Sequence, residues 1–174
     1  MTHFQKLGAA AALLLTVGTA TIVLAAGKGD PGREAQDRAE IEGLMWHYVR
    51  ALDTHDAEAY ARVYTEDGVF QSGTNVTKGR AALKKLIEDG QKAAAERAAK
   101  GEARPQMYHV ATNVYVELVD ESHARYHAYW QGVFESGGPN QPAPVGSAGH
   151  ELSSLVRVNG KWLIEKRDVA PTAD

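Results

Sequence analysis

Histidine is the residue type in this 174-residue sequence best suited to proton transfer, because its side chain titrates near neutral pH. The chain has seven histidines and no cysteine, which excludes disulfides, thiolate metal sites and cysteine nucleophiles. His109, His123 and His127 lie on or beside predicted strands, but no acidic residue stands near them at a spacing typical of a metal site. We therefore predict that these histidines bind no metal ion. The serine pair 153–154 lacks the strand–turn–helix context of an activated nucleophile.

Helices are predicted for the first part of the folded chain. Asp30 and Pro31 are typical of a helix start, since Asp caps and Pro is tolerated in the first turn. Apolar residues then recur at helical spacing, and this helix should end near Asp53. The members of the apolar stripe are Ile41, Leu44, Met45, Tyr48 and Leu52. A second, shorter helix is predicted over residues 56–63.

A turn at residues 65–68 and a short strand from Val69 are expected next. Thr77 is predicted to cap a third helix. Residues 90–104 are rich in Ala, Lys and Glu without an apolar stripe, which is typical of a solvated helix or a mobile lid.

Beyond Pro105 the apolar period changes to two, which predicts strands. Residues 137–142 form a Gly- and Pro-rich loop, and Asn159-Gly160 predicts a hairpin between the last two strands. Helices followed by a meander indicate an α+β class, in which helices cover one face of a strongly curved antiparallel sheet.

Five segments together resemble the SnoaL-like, scytalone dehydratase-like and polyketide cyclase-like branch of the nuclear transport factor 2-like superfamily. They are residues 48–56 (YVRALDTHD), 64–70 (YTEDGVF), 78–80 (KGR), 109–113 (HVATN) and 158–164 (VNGKWLI). The resemblance implies a cone-shaped fold, a homodimer and no cofactor. Relatives of this shape include lyases, isomerases and plain binding proteins, so the site must be argued separately.

In the dehydratase-like relatives, an Asp at the end of the first helix and a His opening the long strand face one cavity. The matching residues here are Asp53 and His109, which the resemblance implies as an acid–base pair. The alternative for Asp53 is a helix cap, with Asp56 as the other candidate cap. The alternative for His109 is a structural strand histidine. The tyrosine of the pattern is replaced by Leu52.

His127 is the nearest candidate for a second catalytic histidine. Regular pairing of the two strands would place it on the same face as His109, but that is the polar face, which a half-buried sheet turns to water. Either a bulge reorients part of the strand, or His109 and His127 do not share the cavity.

Four aromatic side chains are candidates to line a pocket for a small hydrophobic or aromatic ligand, and the alternative is that they are core. They are Trp46, Tyr48, Tyr126 and Trp130.

The N-terminal residues 1–26 predict a cleavable signal peptide, with Lys6 near the start, an apolar middle and small residues before a cut after Ala25 or Ala26. An uncleaved anchor is the alternative. Residues 27–36 would be a linker and residues 37–174 the domain. We therefore expect a secreted or periplasmic protein.

The net charge of −3 indicates neither nucleic acid nor anionic lipid as a partner. Two functions follow from these observations. One is a cofactor-free lyase or isomerase, and the other is a non-catalytic ligand-binding or assembly module of the same fold.

Overall fold

The computed structural model describes residues 30–171, which fold into three helices and six strands. The helices are α1 (Pro31–Asp53), α2 (Ala57–Arg62) and α3 (Arg80–Ala99). The strands are β1 (Tyr64–Ser72), β2 (Asn75–Lys78), β3 (Met107–Leu118), β4 (His123–Phe134), β5 (Val145–Val158) and β6 (Lys161–Asp168). The predicted signal peptide lies outside the described residues. None of these helices has both the length and the apolar character needed to cross a membrane.

The first helix begins and ends where the sequence predicts. The Asp30 side chain accepts a hydrogen bond from the backbone N–H of Gly32, and Pro31 is the first helical residue. Residues 31–36, assigned above to a linker, therefore form the first turns of α1. The apolar stripe of the helix points inward, with Ile41, Met45 and Tyr48 buried.

The α+β prediction is confirmed, and the sheet order is β2-β1-β6-β5-β4-β3. The sheet is mixed rather than wholly antiparallel, because β1 and β6 pair in parallel. The predicted turn at residues 65–68 lies inside β1, where the pairing with β6 shifts register between Tyr64 and Val69. Gly68 fits this irregularity because a Cβ there would lie 2.7 Å from the Cβ of Tyr64.

The third helix starts later than predicted. Thr77 lies in β2, and the helix is preceded by Gly79 at φ +86°, a conformation that favours glycine. The backbone N–H of Gly79 donates to the carbonyl of Gly68 at 2.8 Å, which ties the start of α3 to β1. Beyond Ile87 the helix is mostly exposed, in agreement with the predicted solvated helix.

Two bulges decide which side chains face the helices. In β3, residues 113 and 114 lie opposite the single residue Ala128 between the pairs Thr112–Tyr129 and Tyr115–His127, so β3 has one extra residue, and Asn113 adopts φ +52°. In β6, Glu165 is extra between the residues paired with Leu155 and Ser154. Each bulge reverses the alternation of the strand from that point onward.

The core lies between the three helices and the inner face of the sheet, which is the face covered by the helices. Its largest fully buried apolar side chains are Tyr60, Tyr64, Ile41, Leu83, Leu155 and Ile164. The rings of Tyr48, Tyr60 and Tyr64 pack against one another with centroids 5.2–6.2 Å apart. This packing holds the C-terminal half of α1 against the sheet and so positions the C-terminal end of the helix near β3.

Candidate functional site

The end of α1 meets the start of β3 in a carboxylate–histidine pair. Asp53 Oδ1 lies 2.6 Å from His109 Nδ1, and the Asp53 carboxylate also accepts from the backbone N–H of His109 at 3.2 Å. The side chains are only 8% and 23% exposed, respectively. Gln106 adds a further tie, since its Nε2 donates to the backbone carbonyl of Asp53 at 3.0 Å. The two residues singled out by the resemblance are therefore in direct contact, 56 positions apart in the chain.

Asp53 is free to make this contact because its neighbour caps the next helix. The Asp56 side chain accepts from the backbone N–H of Ala59 at 2.9 Å and is the N-cap of α2. Between them, His55 adopts φ +54° and turns the chain from one helix into the next. Two acids three residues apart thus have different structural roles.

The pairing defines which nitrogen of His109 is available. A carboxylate beside Nδ1 favours the tautomer with the proton on Nδ1, which leaves Nε2 as the basic atom. Nε2 makes no hydrogen bond to any other residue between 30 and 171. His109 thus has the arrangement of a general acid–base group held in one orientation by a carboxylate.

Three hollows adjoin His109. An open hollow of about 420 Å³ lies beside Glu42, Trp46, Tyr126 and Glu151, and a narrow one of about 90 Å³ lies beside Tyr48 and Trp130. Both share His109 and Arg167 in their walls. The third hollow, also about 420 Å³, lies between the end of α3 and β3 and reaches both Asp53 and His109. The segment predicted to be a solvated helix or a lid therefore borders the pair.

All four predicted aromatic residues border these hollows. Tyr48 and Tyr126 are buried, whereas Trp46 is 62% exposed at the rim of the larger hollow. Trp130 is half-buried, and its Nε1 donates to the backbone carbonyl of Val169 at 3.0 Å. Ligand binding by these residues stays a prediction.

His127 lies on the outer face of the sheet, away from Asp53 and His109. It pairs with Tyr115, its ring centroid is 5.9 Å from the Tyr115 ring, and its neighbours Tyr126 and Ala128 are the buried ones. The bulge at Asn113 explains the separation, since it places His109 on the inner face and Tyr115 on the outer face of one strand. The assignment of His127 to the site of His109 is wrong for this reason.

Sequence reasoning missed a buried ion pair on the inner face. Arg167 Nη2 donates to Glu151 Oε2, and both residues are at most 4% exposed. Arg167 also lies 4.1 Å above the ring of Tyr48 and 3.4 Å from the hydroxyl of Ser153. Glu151 lies two residues before the buried Ser153 on β5 and so shares its face, a spacing that could have predicted an inward Glu151. The bulge at Glu165 reverses the alternation of β6, so a regular strand pattern does not predict that Arg167 lies on the inner face.

Electrostatics at this pair follow from burial. Burial raises the pKa of the Glu151 carboxyl, and the charge and hydrogen bond of Arg167 oppose that rise only in part. Burial disfavours the charge of Arg167, but Tyr48 and Glu151 more than offset this, so the pKa of Arg167 lies above its usual range. Burial also raises the pKa of Tyr126 to about 12, so its hydroxyl stays protonated at neutral pH.

The structure is an α+β fold with a carboxylate–histidine pair at the edge of open hollows. Residues 33–168 match the SnoaL-like domain family. The chain belongs to that family. No curated protein matches the sequence.

Solved structures of low sequence identity share the fold. A nuclear transport factor 2-like protein with a cystatin-like fold from Novosphingobium aromaticivorans is 25% identical, with 84% of this chain and 92% of that chain covered and a TM-score of 0.66. A scytalone dehydratase candidate from the same organism is 21% identical, with 79% and 85% covered and a TM-score of 0.61. ActVI-ORFA from Streptomyces coelicolor is 21% identical, with 78% and 96% covered and a TM-score of 0.64.

Proposed function

We propose that the protein is a cofactor-free lyase or isomerase that moves a proton on a small hydrophobic carbonyl or hydroxyl compound. The observation that carries the proposal is the 2.6 Å contact between Asp53 Oδ1 and His109 Nδ1 beside open hollows. The similarity in fold to the dehydratase candidate supports the same class of reaction.

Each residue of the pair has a defined task. Asp53 fixes the His109 ring and stabilises the imidazolium that forms when the ring takes up a proton. His109 Nε2 removes a proton from a carbon beside a carbonyl, and the same nitrogen returns that proton to another carbon or to a departing hydroxyl. The first return completes an isomerisation, and the second completes a dehydration.

Proton exchange tests this proposal without knowledge of the natural substrate. The protein would be incubated with 1-tetralone in D₂O, and deuterium uptake at the carbon beside the carbonyl would be followed by mass spectrometry. We expect uptake above the buffer rate, and His109→Ala should lower the catalysed rate by about a hundredfold or more.

His127→Ala is the matched control, because it removes a histidine from the outer face of the same sheet. It should leave the rate of exchange unchanged. Equal rates for the unaltered protein and His109→Ala would rule out the proposed acid–base role.

The alternative function is a non-catalytic ligand-binding or dimeric assembly module. Exposed apolar side chains on the outer face of the sheet favour a second copy of the chain as a partner. They include Tyr108 (44% exposed), Val110 (40%), Tyr115 (61%) and Tyr129 (57%). The double substitution Tyr115→Lys with Tyr129→Lys should convert the resulting homodimer to a monomer in analytical ultracentrifugation, and an unchanged mass would contradict this interface.

Export completes the proposal. The basic start, apolar stretch and small residues of segment 1–26 support secretion or release into a periplasm. Mass spectrometry of the protein recovered from a secreting host should find a new N-terminus after Ala25 or Ala26, and an intact Met1 on that protein would contradict cleavage.

A further inference from the structure

Glu151 has a feature that the proton-transfer proposal does not use. The residue is 1% exposed, and only Oε2 of its carboxylate is held by Arg167. The other oxygen, Oε1, is buried, and no donor among residues 30–171 reaches it. An unpartnered buried carboxylate oxygen is costly, and a hydrogen-bond donor from outside the chain would remove that cost.

The position of Glu151 limits where that partner can lie. Glu151 and His109 border the same open hollow of about 420 Å³, together with Arg167 and Tyr126. The proximity is also felt electrostatically, because the charge of His109 acts to lower the pKa of Glu151. A molecule bound in this hollow therefore lies beside both His109 and Glu151.

The other side chains of the hollow exclude most alternatives for its occupant. Met45, Trp46 and Val114 supply apolar surface, which suits a flat or aliphatic body rather than an ion. Arg167 neutralises Glu151 through Oε2, so the site does not need a second cation. A hydroxyl group satisfies Oε1 by donating one hydrogen bond, and it adds no charge.

We infer that Glu151 is the specificity-determining residue of this hollow. Its Oε1 accepts a hydrogen bond from the hydroxyl group of a hydroxylated hydrophobic compound. The inference rests on the proposed function and adds that the hollow binds hydroxylated compounds more tightly than compounds of the same shape without a hydroxyl group. Arg167 is the positioning residue, because it holds the carboxylate through Oε2 and leaves Oε1 without a partner among residues 30–171.

Two probes of nearly equal shape test the hydrogen bond. 2-Naphthol donates through its hydroxyl, whereas its methyl ether, 2-methoxynaphthalene, only accepts. Binding of each at pH 7.5 would be measured by calorimetry. We expect the unaltered protein to prefer 2-naphthol by about tenfold or more, since hydrogen bonds to charged groups are among the stronger ones.

Glu151→Gln gives the sharpest readout. The amide oxygen continues to accept from Arg167, so the NH₂ group takes the place of Oε1 and an acceptor becomes a donor. The preference for 2-naphthol should then disappear or reverse in favour of the ether. A role of Glu151 confined to stability would weaken both probes equally and leave their ratio unchanged, which would overturn the inference.

Glu42→Gln is the matched control, because Glu42 borders the same hollow but is exposed. It should keep the full preference for 2-naphthol. His109→Ala separates this inference from the proposed function, since it should lower the rate of exchange on 1-tetralone by about a hundredfold or more yet keep the preference for 2-naphthol. Loss of the preference in His109→Ala, or no preference in the unaltered protein, would also overturn the assignment of Glu151.

Discussion

Two aspartate–histidine pairs occur at opposite ends of β3 and differ in almost every physical respect. Asp53 and His109 are far apart in sequence, are largely buried and adjoin hollows. Asp120 and His123 are three residues apart, have side-chain atoms 3.0 Å from each other and are about half exposed where a turn leads into β4. The same two residue types thus form a candidate catalytic pair in one region and a turn in the other.

The difference shows that the surroundings of such a pair decide its role. Asp120 accepts from the backbone N–H groups of Ser122 and His123, and these local bonds hold the turn closed. Asp53 accepts from the backbone and ring of His109, which belongs to a different element. A long-range pair whose ring has a free nitrogen beside a hollow can act on a ligand, whereas an exposed pair within one turn is satisfied locally.

The most damaging way to break the inner region is to remove one charge from its ion pair. Arg167→Met leaves the Glu151 carboxylate buried without its partner, and we expect a loss of about 3–5 kcal/mol in the free energy of unfolding. Arg125→Met removes the exposed ion pair with Glu117 from the outer face and should cost less than about 1 kcal/mol. Urea unfolding of both variants measures the difference, and similar losses would contradict the contrast between the faces.

The second largest expected effect is a difference in the rate of deuterium exchange when the aspartate of each aspartate–histidine pair is replaced. Asp53→Asn removes the charge that orients His109 and stabilises its protonated form, so we expect deuterium exchange on 1-tetralone to fall by about a hundredfold. Asp120→Asn is the matched change in the exposed turn and should leave the rate within about twofold of the original. A comparable fall in both variants would mean that the rate reports stability rather than chemistry.

Features that depend on neighbouring residues were predictable from the sequence. The start of α1 at Asp30-Pro31 and the Asn159-Gly160 hairpin follow from capping and turn chemistry within a few residues. The contact of Asp53 with His109 was accessible only through the resemblance, because no local pattern links positions 56 apart. Local rules alone left both residues with structural alternatives.

Features that depend on strand register were not predictable. A period-two pattern assumes regular strands, and one extra residue reverses every side chain beyond it. The irregularity at Asn113 therefore misplaced His127, and the one at Glu165 concealed Arg167. The parallel pairing of β1 with β6 joins the first strand of the sequence to the last, and no signal within either strand indicates it.

A smaller effect tests whether Asp53 and Asp56 have separate roles, one in the contact with His109 and the other in capping α2. Asp56→Ala removes the N-cap of α2 and should lower the free energy of unfolding by about 1 kcal/mol. It should leave exchange on 1-tetralone unchanged, because Asp53 and not Asp56 contacts His109. A large loss of exchange in Asp56→Ala would show that the cap is needed to hold the pair together.

The smallest expected effect is a pH dependence of opposite sign in the two regions. The backbone N–H of Ser122 and the side chain of His123 lower the pKa of Asp120 to about 2, below its ordinary 3.8. The ionised carboxylate therefore stabilises the fold above pH 3.8, and this contribution is lost as the pH falls toward 2.

The pKa of Glu151 is raised instead, chiefly by burial, so its contribution becomes unfavourable as the pH rises through its unfolded value of 4.5. Urea unfolding between pH 2 and pH 5 measures both effects. The free energy of unfolding of the unaltered protein should exceed that of Asp120→Asn by less at pH 2 than at pH 5. For Glu151→Gln, the deficit in free energy of unfolding relative to the unaltered protein should be smallest at pH 5. An advantage over Asp120→Asn that grows on acidification would contradict the assigned direction for the exposed pair.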